Sequence, residues 1–182
     1  MTRVCLVGDD DVNLRYELLS RETSRNALVT YDLREPYENA IGIETVSLGA
    51  AVSLLNDLDW YLIRFVEEAL VLEPSVSDDE WLSRDLAAAI RANRIDPDDA
   101  SRYLKVYGVE TADEQQSEVD ETADPDSETD DAAADAEPTQ ERPPKLVEPM
   151  LVARTGETIP EYDLRDVAET LTVRLTEAEF DA

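Results

Sequence analysis

The feature that most constrains the fold of this chain is a long stretch, residues 110–145, that offers almost nothing to a hydrophobic core. Asp, Glu, Ala, Thr, Ser and Gln predominate there, and Val119 is its one large aliphatic side chain. Such a segment cannot bury enough apolar surface to offset the entropy lost on ordering. We therefore predict a disordered acidic linker at 110–145, between a core in residues 1–109 and C-terminal strands in residues 146–182 that pack on this core.

The charge of the chain is strongly negative along its whole length. Its 182 residues include 44 acidic and 16 basic residues and no histidine, which gives a net charge of -28. Of the 44 acidic residues, 30 lie outside residues 110–145, so the excess is not confined to the linker. Self-repulsion of this size destabilises a compact chain in dilute buffer, whereas at about 1 M salt the Debye length falls to about 3 Å. The composition predicts a halophilic protein.

The chain shows no feature of secreted or membrane proteins. We expect no secretory signal, because the first residues lead straight into a strand pattern. The longest apolar segment, residues 48–72, is interrupted by five charged side chains and so falls short of the roughly 18 apolar residues of a membrane helix. Cys5 is the single cysteine, which excludes an intramolecular disulfide and indicates a small buried hydrophobe. We expect a cytoplasmic protein.

The hydrophobic pattern of residues 1–72 predicts alternating strands and helices. A continuous apolar run at residues 4–7 indicates a buried strand, and a helix is expected over 12–25. Partial alternation over 27–34 and 41–47 predicts two further strands, and spacings of three and four residues predict one long helix over 48–72. This order predicts an α+β fold with a ferredoxin-like β-α-β-β-α core.

The rest of the core is expected to form a helical hairpin. Ser77 and Glu80 have the spacing of a capping box ahead of a helix that carries Trp81 and Ile90. A second helix is predicted from Asp96 to Gly108, which makes an αα-hairpin. After the linker, residues 150–153 and 170–176 have strand patterns and are expected to add to the sheet.

The aspartates after the first strand form the cluster that most invites a chemical role. A dinucleotide site is excluded, because its fingerprint needs three glycines and only Gly8 is present. The opening is similar to that of a receiver domain, but the later aspartate and lysine of receivers have no counterpart after suitable strands. Asp9, Asp10 and Asp11 remain candidate Mg²⁺ ligands. Helix capping and solubility are the favoured interpretation of the same residues.

Nucleic-acid binding has one candidate element, the predicted αα-hairpin. Its basic residues are Arg84, Arg91, Arg94, Arg102 and Lys105. Neighbouring aspartates nearly cancel these charges, and phosphate contacts normally dominate affinity for DNA. The sequence therefore argues against nucleic acid as a partner.

Three classes of function remain open. The favoured hypothesis is a non-catalytic module that binds a protein partner, because histidine, a phosphate loop and a nucleophile motif are all missing from the sequence. Its contact surface could involve Trp60, Tyr61, Phe65 and Trp81, although for each of these taken singly a place in the core is the favoured interpretation. The alternative is a Mg²⁺-dependent enzyme that uses carboxylates, and a nucleic-acid-associated protein is third. No other cofactor is expected.

Four stretches of the chain resemble a haloarchaeal family of unknown function. These stretches are RVCLVGDD at residues 3–10, LRYELLSR at 14–21, VSLGAA at 46–51 and NDLDWY at 56–61. The resemblance implies a haloarchaeal origin, and no activity, cofactor or site residue comes with it.

Overall fold

The computed structural model describes residues 1–111 and 142–182, which form a mixed α+β fold with one seven-stranded sheet. The strands are β1 (Thr2–Gly8), β2 (Ala40–Thr45), β3 (Val66–Leu72), β4 (Trp81–Ser83), β5 (Tyr103–Glu110), β6 (Lys145–Ala153) and β7 (Glu169–Leu175). The helices are α1 (Leu14–Leu19), α2 (Glu22–Leu28), α3 (Leu48–Asp57), α4 (Asp59–Phe65), α5 (Arg84–Arg91) and α6 (Glu177–Asp181). The α+β class is confirmed, whereas the ferredoxin-like order is not.

The C-terminal strands are integral parts of the sheet, whose order is β2-β1-β3-β4-β7-β5-β6. β7 lies between β4, to which it is parallel, and β5, to which it is antiparallel. β5 pairs with β6 and β7 alone, so both of its neighbours come from beyond residue 142. β6 contains Pro149, which an edge strand tolerates because its outer N–H groups make no ladder hydrogen bonds.

Alternation along the strands sends one set of side chains to a layer of helices. Val4 and Leu6 of β1, Ile43 of β2, and Val71 of β3 are at most 2% exposed and pack with residues of α1, α3 and α5. The residues between them in sequence point to the opposite face, as the twofold repeat of a strand requires. Strands buried on both faces have continuous apolar sequences, as in the run Ala69–Leu72 at the end of β3.

The opposite face is buried because the sheet curves over itself. Lys105 Nζ and Tyr107 Oη of β5 lie 2.9 and 3.0 Å from Glu68 Oε2 of β3. β4 and β7 separate these strands, which would place them about 14 Å apart in a flat sheet with a spacing of about 4.8 Å. β2 and β6 are the two edge strands of the sheet, and the segments that precede them also meet: the Glu38 N–H donates to the Pro144 carbonyl at 2.9 Å. The concave face encloses Cys5, Leu70 and Val173, each 0% exposed.

The predicted helix over 48–72 is wrong in its final third. Ser47 caps α3, but the helical segment breaks at Leu58, and residues 66–72 form the central strand β3. Apolar side chains recur at three- and four-residue spacing up to the start of β3. The continuous apolar run within β3 suits either a buried helix or a buried strand. Pairing with β1, which lies about 60 residues earlier, decides for a strand.

Of two predicted elements near the N-terminus, one is wrong and the other is only partly correct. The predicted strand over 27–34 begins inside α2, and of its residues only Arg34 makes a β-bridge, to Gly42. Tyr31 and Leu33 still pack against the main core, from a loop. The helix predicted over 12–25 is interrupted, because α1 ends at Leu19 and α2 starts at Glu22.

The αα-hairpin is wrong as well. Trp81–Ser83 is strand β4, and α5 starts at Arg84 with Ser83 as its cap, so the Ser77 to Glu80 motif closes a turn ahead of a strand. The second helix is reduced to a 3₁₀ turn at Pro97–Asp99, followed by β5. Gly108 does not end a helix. It lies at a bulge in β5, where an added Cβ would come within 2.9 Å of the Tyr162 hydroxyl oxygen.

The predicted linker lies largely outside the described residues. Its first residue, Glu110, ends β5, and its last, Lys145, begins β6 directly opposite. Among the described residues, no helix is long and apolar enough to cross a membrane.

Candidate functional site

The three aspartates after β1 occupy a turn that a distant asparagine organises. The Asn39 side-chain amide donates to the carbonyl oxygens of Asp9 and Val12 at 2.9 and 2.8 Å, and its Oδ1 accepts from the Leu14 N–H at 3.0 Å. Asn39 adopts a positive φ of 55°, which asparagine tolerates well. Asn13 caps α1, so the expectation that one of the aspartates caps this helix is wrong. Asp10 and Asp11 are exposed.

The surroundings of this turn are rich in carboxylates. Burial raises the pKa of Glu67. The negative charges of Asp10, Asp9 and Glu68 add to this rise, whereas the positive charge of Lys105 opposes it. Glu67 therefore lies within the field of the aspartates. In residues 1–111 and 142–182, however, no group of three or more His, Cys, Asp or Glu residues is arranged to hold a metal ion. The Mg²⁺ site at Asp9, Asp10 and Asp11 stays a prediction.

The basic residues of the predicted hairpin are dispersed. Arg84 pairs with Asp59 at 2.7 Å, and Lys105 lies in the curved sheet against Glu68. Arg91 ends α5, while Arg94 and Arg102 lie in the irregular segment between α5 and β5. No helical hairpin presents them together, so the helix-turn-helix candidate for nucleic-acid binding has no structural counterpart in the described chain.

The four aromatic residues singled out from the sequence separate into core and surface. Tyr61 is 9% exposed, Phe65 packs against the helix-side core, and Trp81 packs against the core on the concave face. Trp60 is different, because 46% of it is exposed on α4. The structure therefore leaves one side of this helix uncovered.

The exposed indole of Trp60 is held in place by charged and aromatic neighbours. The Arg64 guanidinium carbon lies 3.8 Å from the centroid of the Trp60 ring, and that of Arg21 lies 5.4 Å from it. The rings of Tyr61 and Phe65 meet it edge-on at 4.9 and 6.2 Å. These cation–π and aromatic contacts fix the orientation of a large side chain that solvent can reach.

Ile63 extends this exposed surface. It lies one helical turn from Trp60 and is 72% exposed, so both side chains project from the same side of α4. We call Trp60, Ile63, Arg21 and Arg64 the α4 face. Arg21 pairs with Glu17 at 3.3 Å, and Arg64 forms no ion pair with any residue that the structure describes. The face therefore combines two exposed apolar side chains with two guanidinium groups that lie over the indole.

A cleft of about 400 Å³ opens beside β1 on the concave face of the sheet, and sequence analysis did not predict it. Arg3 and Cys5 of β1, Glu44 of β2, Tyr37 and Trp81 contribute to its walls. A rim over residues 34–37 closes one side. The alternation of Arg3 and Cys5 placed their side chains on one strand face, but nothing local in the sequence indicated that Trp81 and Tyr37 meet there.

The Cys5 thiol beside this cleft is not a reactive group. It is 0% exposed, and burial raises its pKa to about 12. A thiol in this state is protonated at neutral pH and therefore a poor nucleophile. The expectation of a small buried hydrophobe agrees with this burial.

The model of one protein family, described as a family of unknown function (DUF5804), matches residues 2–109 of the chain. The match covers β1 to β4 and all but the last residue of β5, and it excludes β6 and β7. No curated protein and no solved structure matches the chain.

Proposed function

The chain belongs to a family of unknown function (DUF5804), and from the geometry of α4 we propose that it is a non-catalytic module that binds a protein partner through the α4 face. The observation that carries this proposal is the exposed Trp60 indole, fixed by Arg64 at 3.8 Å and accompanied by the exposed Ile63. Tryptophan and arginine are enriched among the residues that contribute most to the energy of protein interfaces.

The contacts of Trp60 lower the entropic cost of binding. Immobilising a flexible side chain at an interface costs about 0.5–1.5 kcal/mol, which reduces affinity. The Trp60 ring is already oriented by two guanidinium groups and two aromatic rings before any partner arrives. Its exposed surface can then be buried at little further cost, which is the behaviour expected of an interface anchor.

The charges around Trp60 indicate the chemistry of the partner. Arg21 and Arg64 place two guanidinium groups over the ring in a chain whose net charge is -28, and only the first of them is paired, with Glu17, among the described residues. Complementary charges at an interface chiefly set orientation and specificity. We propose a partner with an apolar pocket for the indole and carboxylates at its rim. Such a partner would be repelled by most of this molecule and attracted at the α4 face.

Replacing Trp60 with alanine or Ile63 with serine is expected to abolish capture of this partner. Both side chains are exposed, so the fold should be retained while the interface anchor is lost. Tagged wild-type and variant proteins would be used to capture proteins from a lysate of the source organism in molar KCl, with quantitative mass spectrometry. The matched control is Leu151→Ser, which alters a side chain of similar exposure, 48%, on β6.

The decisive outcome is a protein that wild type and Leu151→Ser retain and that both α4 variants lose. If every captured protein is retained equally by all four chains, the α4 face is not the contact surface. A turnover in the presence of Mg²⁺ that disappears when Asp9, Asp10 and Asp11 are replaced with asparagine would instead favour the enzyme hypothesis.

We also propose that the protein works in a salt-rich cytoplasm, as the haloarchaeal resemblance suggests. The support is the net charge of -28, since ion pairs in the described chain neutralise only a few of its acidic groups. The midpoint of thermal unfolding is expected to rise from dilute buffer to molar KCl, because salt screens the repulsion between carboxylates. Circular dichroism would follow the transition, and a midpoint that stays constant or falls would contradict salt adaptation.

A further inference from the structure

The cleft beside β1 has a preformed wall. The Arg34 N–H donates to the Gly42 carbonyl at 3.0 Å, and the Gly42 N–H donates to the Arg34 carbonyl at 2.7 Å. These two bonds attach the rim to the edge of β2. Gly42 permits the approach, because a Cβ there would lie 3.2 Å from Pro36 Cδ. The rim also carries Tyr37, which packs against the core on the concave face.

Two aromatic side chains provide the apolar part of the cleft. Trp81 comes from β4 and Tyr37 from the rim, and both are partly buried at its walls. Burial raises the pKa of Tyr37 to about 12, with Cys5 and Glu169 adding to the rise, so its hydroxyl keeps its proton at neutral pH. The volume of about 400 Å³ lies within the range of about 300–1,000 Å³ that is typical of small-molecule sites.

Four charged side chains line the same cleft, and their charges balance. Arg3 of β1 stands opposite Glu44 of β2 in the strand register, and Arg34 precedes Glu35 in the rim. None of the four forms an ion pair within 4.0 Å with any described residue. Guanidinium groups recognise carboxylates by paired hydrogen bonds, and the carboxylates can receive an ammonium group.

We propose that this cleft binds a small zwitterion with a planar ring, of the kind represented by an aromatic amino acid. Its carboxylate contacts Arg3 or Arg34, its ammonium group contacts Glu44 or Glu35, and its ring lies against Trp81 and Tyr37. A ligand with only one charge gains from one pair of side chains and is repelled by the other pair. The cleft lies on the concave face of the sheet, whereas α4 packs on the helix-covered face, so the two sites are separate.

Three probes that differ only in their charged groups test this proposal. They are L-phenylalanine, 3-phenylpropionate, which lacks the ammonium group, and phenethylamine, which lacks the carboxylate. The chain has two tryptophans, so the indole N–H signals in a ¹H–¹⁵N NMR spectrum report the cleft through Trp81 and the α4 face through Trp60. We expect phenylalanine to shift the Trp81 signal and to bind at least about tenfold more tightly than either analogue.

Variants of the charged residues separate the two contacts. Arg3→Gln should weaken phenylalanine and phenylpropionate about tenfold and should tighten phenethylamine, because it removes a positive charge that repels the ammonium group. Glu44→Gln should weaken phenylalanine and phenethylamine and should tighten phenylpropionate. Arg94→Gln, an exposed arginine outside the cleft, is the matched control. Equal affinity for phenylalanine and phenylpropionate, a shift of the Trp60 signal alone, or no Trp81 shift at the solubility limit of phenylalanine would overturn the proposal.

Discussion

A chain that ends at Thr111 is expected to lose cooperative folding and to aggregate. The truncation removes β6 and β7, which are the two partners of β5, and it leaves β4 without its second neighbour. It also removes the buried side chains of Leu171, Val173 and Leu175, each worth about 1.5–3 kcal/mol of burial. Size-exclusion chromatography and thermal unfolding in molar KCl would detect the loss.

The matched control for the truncation removes residues 112–141 and retains the C-terminal strands. Glu110 and Lys145 face each other in the antiparallel pair of β5 and β6, so a short glycine–serine linker can join Thr111 to Arg142. This shortened chain is expected to unfold cooperatively near the wild-type midpoint. A truncated chain that is monomeric and melts like this control would show that the family-matched region folds without β7.

Replacing Glu80 with alanine is expected to destabilise the protein by about 3–5 kcal/mol, the usual cost of removing one partner from a buried ion pair. Glu80 Oε1 accepts from Arg174 Nε at 2.8 Å, and both of its oxygens accept from Arg154 Nη2 at 2.7 Å. The side chains of Glu80, Arg154 and Arg174 are only 15%, 18% and 10% exposed. The substitution leaves two largely buried guanidinium groups without their carboxylate.

A second ion pair of similar length provides the control for Glu80. Asp59 and Arg84 meet at 2.7 Å, but the Asp59 side chain is 51% exposed. Exposed pairs contribute about 0–1 kcal/mol, so Asp59→Ala should change the free energy of unfolding little. Chemical denaturation at constant KCl would compare the two variants. Equal, small losses would mean that Glu80 does not clamp the C-terminal strands to the rest of the fold.

The elements that were predicted correctly are those with an unambiguous local pattern. β7 was expected over 170–176 and lies at Glu169–Leu175, with Leu171, Val173 and Leu175 buried on one face. The start of α3 was predicted correctly at residue 48 from the spacing of its apolar residues, and in the structure the Ser47 side chain caps it by accepting from the Ala50 N–H at 3.1 Å.

The elements that were predicted wrongly depend on contacts distant in sequence. In β5, Tyr103, Leu104 and Tyr107 fit a helical stripe, and the alternation of Leu104 and Val106 with Tyr103 and Tyr107 fits a strand equally well. Its partners β6 and β7 lie about 40 and 70 residues later along the chain, so no local signal could decide between these patterns.

The two proposed sites were predictable to different degrees. Trp60 was identified from the sequence as a candidate contact residue. Its exposure, however, depends on how α4 packs, which the periodicity of the helix did not specify. The cleft could not be predicted, because it needs the Arg34–Gly42 bridge and the meeting of Tyr37 with Trp81. The aspartates after Gly8 looked most like a site, yet Asn39, from 25 or more residues away in sequence, organises their turn.

The role of the α4 face is tested most directly by the affinity of the captured partner for wild type, Trp60→Ala and Leu151→Ser, measured by calorimetric titration in molar KCl. Removal of an interface anchor typically costs at least about 2 kcal/mol, so Trp60→Ala should raise Kd at least about 30-fold. Leu151→Ser should bind like wild type. Equal dissociation constants for wild type and Trp60→Ala would contradict recognition through this face.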